Sequence, residues 1–237
     1  VRVGVVVFPG SNCDHDAYEA SRLVLDAETE YLWHSDHDLR GCDVVVLPGG
    51  FAHGDYLRAG AIARFSPIMR EVAAFARDGG IVVGICNGFQ VLCEVGLLPG
   101  ALLRNASRRF VCKTVRIRVE RTDAPVLSDL LQGTVLSMPV AHGEGNYYAP
   151  PDEFDSLRQN GRIAFRYVDE RGEPTKASNP NGSLDNVAGI VNEAGNVLGM
   201  MPHPERACEA VLGSDDGAAV LRSLGRAVEA RKSGCVA

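Results

Sequence analysis

Three runs in the first part of the chain, Val3 to Phe8, Val44 to Leu47 and Ile81 to Ile85, contain no charged or amide side chain. A strand points successive residues to opposite faces, so a run that is apolar throughout must be covered on both. Helical signals separate the runs. Asp14 to Leu25 reads as an amphipathic helix with Ala17, Ala20, Val24 and Leu25 inward. Ser66 to Arg77 reads as a second, with Ser66 as N-cap, Pro67 at its first position and Asp78-Gly79-Gly80 as its stop. Asn87 to Val95 follows as a third. Strands alternating with helices predict a parallel sheet with helices on both faces, whose ligands sit beyond the carboxyl ends of the strands. Three unusual loops fall there: Ser11-Asn12-Cys13-Asp14, Pro48-Gly49-Gly50-Phe51 and Cys86-Asn87-Gly88.

The second half changes character. Lys113 to Glu120 alternates, with Val115, Ile117 and Val119 on one side and Arg116, Arg118 and Glu120 on the other. Thr134 to Val140, Ile163 to Val168, Val187 to Asn192 and Val197 to Met201 read as further short strands, with turn-like stretches at Gly172, Gly182 and Gly195. Gly217 to Arg231 closes the chain as a helix. The expected architecture is one domain over 1–237, an α/β fold whose mostly parallel central sheet carries an antiparallel extension.

The net charge of −6 argues against binding nucleic acid through phosphate neutralisation. No apolar run approaches the roughly 20 residues that span a bilayer. The opening run shows no basic region or signal-type cleavage site, and residue 1 is Val, which fits numbering that starts after an initiator Met. The seven cysteines are scattered without Cys-x-x-Cys spacing, which disfavours a disulfide framework or a structural metal site and points to a reducing cytoplasm.

Val83-Gly84-Ile85-Cys86-Asn87-Gly88-Phe89-Gln90 places Cys86 between a buried strand and a helix, flanked by glycines. That is the layout of a nucleophile elbow, in which a sharp turn exposes the side chain. The helix N-terminus favours thiolate, and the Asn87 N–H could stabilise an oxyanion. A cysteine merely buried in a tight turn fits the same residues. Met201-Pro202-His203-Pro204-Glu205-Arg206 follows an apolar strand, and its prolines forbid a continuing helix. Such a turn can present His203 as a base and Glu205 as its orienting carboxylate, or simply lie solvated at the surface. Gly49-Gly50 allows close approach of a ligand to the backbone, or is a plain turn.

Together these residues resemble the class I glutamine amidotransferases, which pair a Gly-x-Cys-x-Gly-x-Gln elbow with a later His-Pro-Glu turn. Val7 to Asp14, Pro48 to Phe51, Gly54-Asp55-Tyr56-Leu57-Arg58-Ala59-Gly60 and His142-Gly143-Glu144-Gly145 are similar to the glutaminase subunits of phosphoribosylformylglycinamidine synthases. Ala52-His53 departs from the Ser-Tyr expected there. The resemblance implies the three-layer, flavodoxin-like amidotransferase fold. It implies a triad of Cys86, His203 and Glu205, and an oxyanion hole from the backbone of Gly50 and Asn87. Substrate contacts would come from Gln90, His142 and Gly143, with no metal. Cys86 would form a γ-glutamyl thioester and release ammonia from glutamine.

No phosphate-binding loop of the P-loop or dinucleotide type is present, so no cofactor is expected in this chain. ATP and Mg2+ would act on a larger synthetase subunit, with a small third subunit bridging the two. Gly54 to Gly60 and Arg104 to Arg109 are candidate docking segments. The rivals are an amidotransferase subunit of another synthase, a stress protein or peptidase built on a cysteine elbow, and a non-catalytic scaffold. Those elbow proteins usually carry His after the Cys, where Asn87 stands here.

Overall fold

The computed structural model describes residues 1–234. Its elements run β1 (Arg2–Val7), α1 (Asp14–Leu25), β2 (Glu28–Trp33), β3 (Val44–Leu47), α2 (Ile68–Arg77), β4 (Ile81–Ile85), α3 (Asn87–Glu94), β5 (Ala101–Leu103), β6 (Val111–Val119), β7 (Val135–His142), β8 (Asn146–Tyr148), α4 (Pro151–Gln159), β9 (Ile163–Val168), β10 (Val187–Val191), β11 (Val197–Met200) and α5 (Asp216–Lys232). Nine strands form one sheet in the order β2-β1-β3-β4-β11-β10-β9-β6-β7, and β5 pairs with β8 in a small second sheet.

The sheet changes character at β11. From β2 to β11 all pairings are parallel. From β11 outward to β7 all are antiparallel. Strands β3, β4 and β11 are buried at every position, as the centre of a sheet covered on both faces must be. In β7, buried and more exposed residues alternate, so one face meets the core and the other meets solvent. Helices α1 and α5 pack against each other, and α3 packs on β3, β4 and β11. The antiparallel extension is thus as extensive as the parallel part.

Four elements escape the sequence pattern: the short strands β5 and β8, strand β2 and helix α4. Strand β2 has charged or polar residues at its first three positions and buries only Leu32 fully, so neither alternation nor an apolar run marks it. Helix α4 opens on two prolines and two acidic residues and buries only Leu157. The Ser66 cap expectation is corrected. The helix begins at Ile68, with Pro67 in the capping position, and no side-chain cap forms. Ser66 Oγ instead lies 3.4 Å from His34 Nδ1 and 3.4 Å from His53 Nε2.

Candidate active site

Strand β4 delivers Cys86 into a backbone conformation that L-residues rarely adopt, φ 52° and ψ −104°. Such strain persists only where the surroundings enforce it. Here the Cys86 N–H donates to Met200 O at 2.8 Å, tying the elbow to the end of β11, and Gln90 N–H returns to Cys86 O at 3.2 Å to start α3. The flanking glycines are required by space. A Cβ on Gly88 would overlap the Leu47 carbonyl, and one on Gly84 would lie 2.6 Å from the Gly88 backbone. The thiol, 5% exposed, approaches Ala141 O at 3.7 Å, a weak contact that leaves it available.

His203 follows β11, the hydrogen-bonded neighbour of β4, in a register that pairs Met200 with Ile85. The two loops therefore leave the same edge of the sheet one strand apart. His203 Nδ1 lies 2.6 Å from Glu205 Oε1, and both side chains are almost fully buried. Burial alone would drive the proton off this imidazole. The negative charge of Glu205, helped by the nearby sulfurs of Cys86 and Cys13, outweighs it and holds the pKa well above the ordinary value. Nε2 is buried without a hydrogen-bond partner, as is Glu205 Oε2. Nε2 is thus free to exchange a proton with the thiol.

Gly50 sits beside the elbow with φ 139°, and a Cβ there would lie 2.6 Å from the Asn12 nitrogen, so only glycine fits. Asn87 opens α3, and the N–H groups of a first helical turn have no acceptor within the helix. The Asn87 side chain links several loops. Its Oδ1 accepts from Ala52 N–H at 2.9 Å, and its Nδ2 donates to Gln90 Oε1 at 2.8 Å and Asp55 Oδ1 at 3.2 Å. Gln90 Nε2 donates to Glu144 O at 2.6 Å. Burial and the nearby Glu144 push the Asp55 carboxyl up to about 6.

The 142–145 loop is anchored from below. Both nitrogens of the buried His142 ring are engaged, Nδ1 with Asn105 Oδ1 at 3.0 Å and Nε2 with Asn181 Nδ2 at 3.5 Å. Burial and the neighbouring His203 push the His142 pKa down to about 4, so the ring is neutral. Gly143 O accepts from Asn105 N–H at 2.9 Å. The loop thus offers its backbone to Gln90, while the His142 ring serves the network beneath. Arg104, Arg108 and Arg109 line a shallow groove with Gly143 and Glu144.

Proximity in the fold adds Cys13, which motif spacing left unassigned. Donor atoms of Cys13, His203 and Glu205 lie within 4.8 Å of one another, all buried. The trio could in principle hold a soft cation. However, the Arg206 guanidinium sits 3.3 Å from Cys13 Sγ, and Glu205 already engages His203 Nδ1. That arrangement suits an oriented imidazole better than a metal centre.

The family described as the CobB/CobQ-like glutamine amidotransferase domain matches residues 1–217. The chain belongs to this glutamine amidotransferase family. A relative in Salinibacter ruber, named phosphoribosylformylglycinamidine synthase subunit PurQ, is 57% identical over 94% of this chain and 95% of its own length. A protein of the same name in Chlorobaculum tepidum is 60% identical over 94% and 96%. Among solved structures, a chain of PurLQS from Thermotoga maritima superposes with a TM-score of 0.83 at 43% identity, covering 94% of this chain and 96% of that one. A glutamine amidotransferase from Thermotoga maritima shares the fold at a TM-score of 0.56 and 18% identity, covering 98% and 97%. The fold is thus that of the class I glutamine amidotransferases.

Proposed function

We propose that this chain is the glutaminase subunit of a phosphoribosylformylglycinamidine synthase, hydrolysing glutamine to glutamate and ammonia. The observation that carries the chemistry is Cys86, strained on its elbow, beside an imidazole whose Nδ1 is 2.6 Å from a buried carboxylate. Near-full-length identity to relatives named as PurQ subunits supports the choice of synthase.

The Cys86 thiolate attacks the side-chain amide carbon of glutamine. The backbone N–H groups of Asn87 and Gly50 stabilise the oxyanion. Imidazolium His203 gives its proton to the amide nitrogen, the C–N bond breaks, and ammonia leaves a γ-glutamyl thioester on Cys86. Neutral His203 then takes a proton from water as the water attacks the thioester. The C–S bond breaks, and glutamate departs with Cys86 again a thiolate and His203 again protonated. Glu205 holds the ring throughout. Gln90 and the backbone around Gly143 grip the α-amino and carboxylate end of the substrate.

The ammonia passes to a larger synthetase subunit, where ATP and Mg2+ drive amidation of formylglycinamide ribonucleotide, with a small third subunit bridging the pair. The loop 54–60 is the docking segment, since Tyr56 and Leu57 at its tip are 74% and 87% exposed. Ammonia release is to be assayed with and without the synthetase subunit. Cys86→Ala is expected to abolish it, and a thiol-alkylating glutamine analogue to label Cys86 alone among the cysteines. Hydrolysis surviving Cys86→Ala, or label mainly elsewhere, refutes the assignment.

A further inference from the structure

We propose that Cys13 is a positioning residue for the glutaminase reaction, its Sγ anchoring the edge of the His203 ring that carries Nδ1 and Cε1. The proposal rests on the reading that Cys86 and His203 carry the chemistry. Cys13 precedes α1, is 3% exposed, and is fixed by its own backbone: its N–H donates to Gly49 O at 3.2 Å and its carbonyl accepts from Ala17 N–H at 3.0 Å. The sulfur and the ring converge over Gly49. A Cβ at that residue would stand 2.7 Å from His203 Cε1, 3.4 Å from Nδ1 and 3.1 Å from Cys13 Sγ. Gly49 is therefore glycine because the imidazole and the thiol occupy the space a side chain would need.

The thiol is itself held in place. It donates to Asn12 Oδ1 at 3.2 Å and receives Arg206 Nη2 at 3.3 Å. Arg206 Nε is fixed in turn by Asp16 Oδ2 at 2.8 Å. The loop after β1 and the turn after β11 are thus clasped around the imidazole. Glu205 pins the ring at one atom, which leaves rotation about that contact. A sulfur against the adjoining edge blocks the rotation and keeps Nε2 aimed at Cys86, the alignment that proton transfer needs. The titratable and charged groups around the ring are Glu205, Cys86 and Cys13, with His142 and Arg206 beyond. Cys13 is among those that keep the proton on it.

The test compares Cys13→Ala, Cys13→Ser and the parent chain, each with its synthetase subunit, by steady-state glutamine hydrolysis across pH. Losing the sulfur beside the ring is expected to lower kcat about tenfold with KM within about twofold. The alkaline limb of the rate profile should move to lower pH, because His203 holds its proton less tightly. Serine, which keeps a hydrogen-bonding group, should restore most of kcat and return the limb. A kcat within about twofold of the parent in Cys13→Ala, a loss confined to KM, or serine no better than alanine with the limb unmoved overturns the proposal. Should the alanine chain not fold, Cys13→Gly makes the same comparison, glycine being tolerated at a helix N-cap. Absence of activity in the parent complex overturns both readings. Activity that is lost in Cys86→Ala but indifferent to residue 13 overturns the anchor alone.

Discussion

At residue 203 a buried imidazole keeps its proton because Glu205, a second buried group, lies against it. Glu205→Gln removes the largest of the influences that raise its pKa. The expected loss in kcat is about 10²- to 10⁴-fold, the range seen when the orienting carboxylate of a triad is neutralised. The stability effect has a definite sign. A histidine with a raised folded pKa contributes stability in full below its unfolded value near 6.5, and the contribution fades as pH rises through the folded value. The melting temperature of the parent should exceed that of Glu205→Gln most at the acid end of a pH 6 to 9 series, with the gap narrowing towards the alkaline end. A gap that widens with pH contradicts the pairing. Glu205 was visible as a candidate two residues beyond His203 in a proline-fixed turn. Cys13 was not, because no local spacing relates residue 13 to residue 203; only the clasp through Arg206 does.

At the level of elements, α2 is secured from below by one amide. Asn196 Nδ2 donates to Ala76 O at 2.8 Å and to Gly80 O at 2.7 Å, closing the end of α2 and the turn into β4. Asn196 is buried, so Asn196→Ala leaves two carbonyls without that partner. About 2–3 kcal/mol of stability should be lost, read as a lower urea midpoint at unchanged slope. A loss under ~0.5 kcal/mol means that water replaces the amide. Strands β3 and β4 were legible to the residue because full burial demands uninterrupted apolar runs. Strand β2 was not. It lies at the sheet edge with one covered face, and its partner β1, rather than its own pattern, makes it a strand. Helix α4 hid for a similar reason, since a helix that buries one leucine has almost no apolar stripe to read.

At the level of the whole molecule, the 51–60 segment joins the elbow to the surface, bonded to Asn87 through Ala52 and Asp55 and exposed at Tyr56 and Leu57. His53, Asp55 and Leu57 all adopt positive φ, and Asp55 accepts from Asn87, the residue after Cys86. Its apolar tip has no packing partner that solvent would not replace, so Leu57→Asp should leave the melting temperature within about 1 °C of the parent while weakening synthetase binding by about tenfold or more. Calorimetric titration of the two subunits reads the second effect; unaltered affinity would remove this loop from the interface. The two halves of the site were each recognisable in the sequence, but their meeting depends on β11 inserting between β4 and the antiparallel strands, which no local pattern states. That insertion has a consequence for the time at which the protein becomes active. On the ribosome, Cys86 emerges long before the segment that bears His203, and until the last central strand zips in beside β4 the two residues cannot meet. The arrangement proposed for catalysis therefore forms only when the sheet is complete.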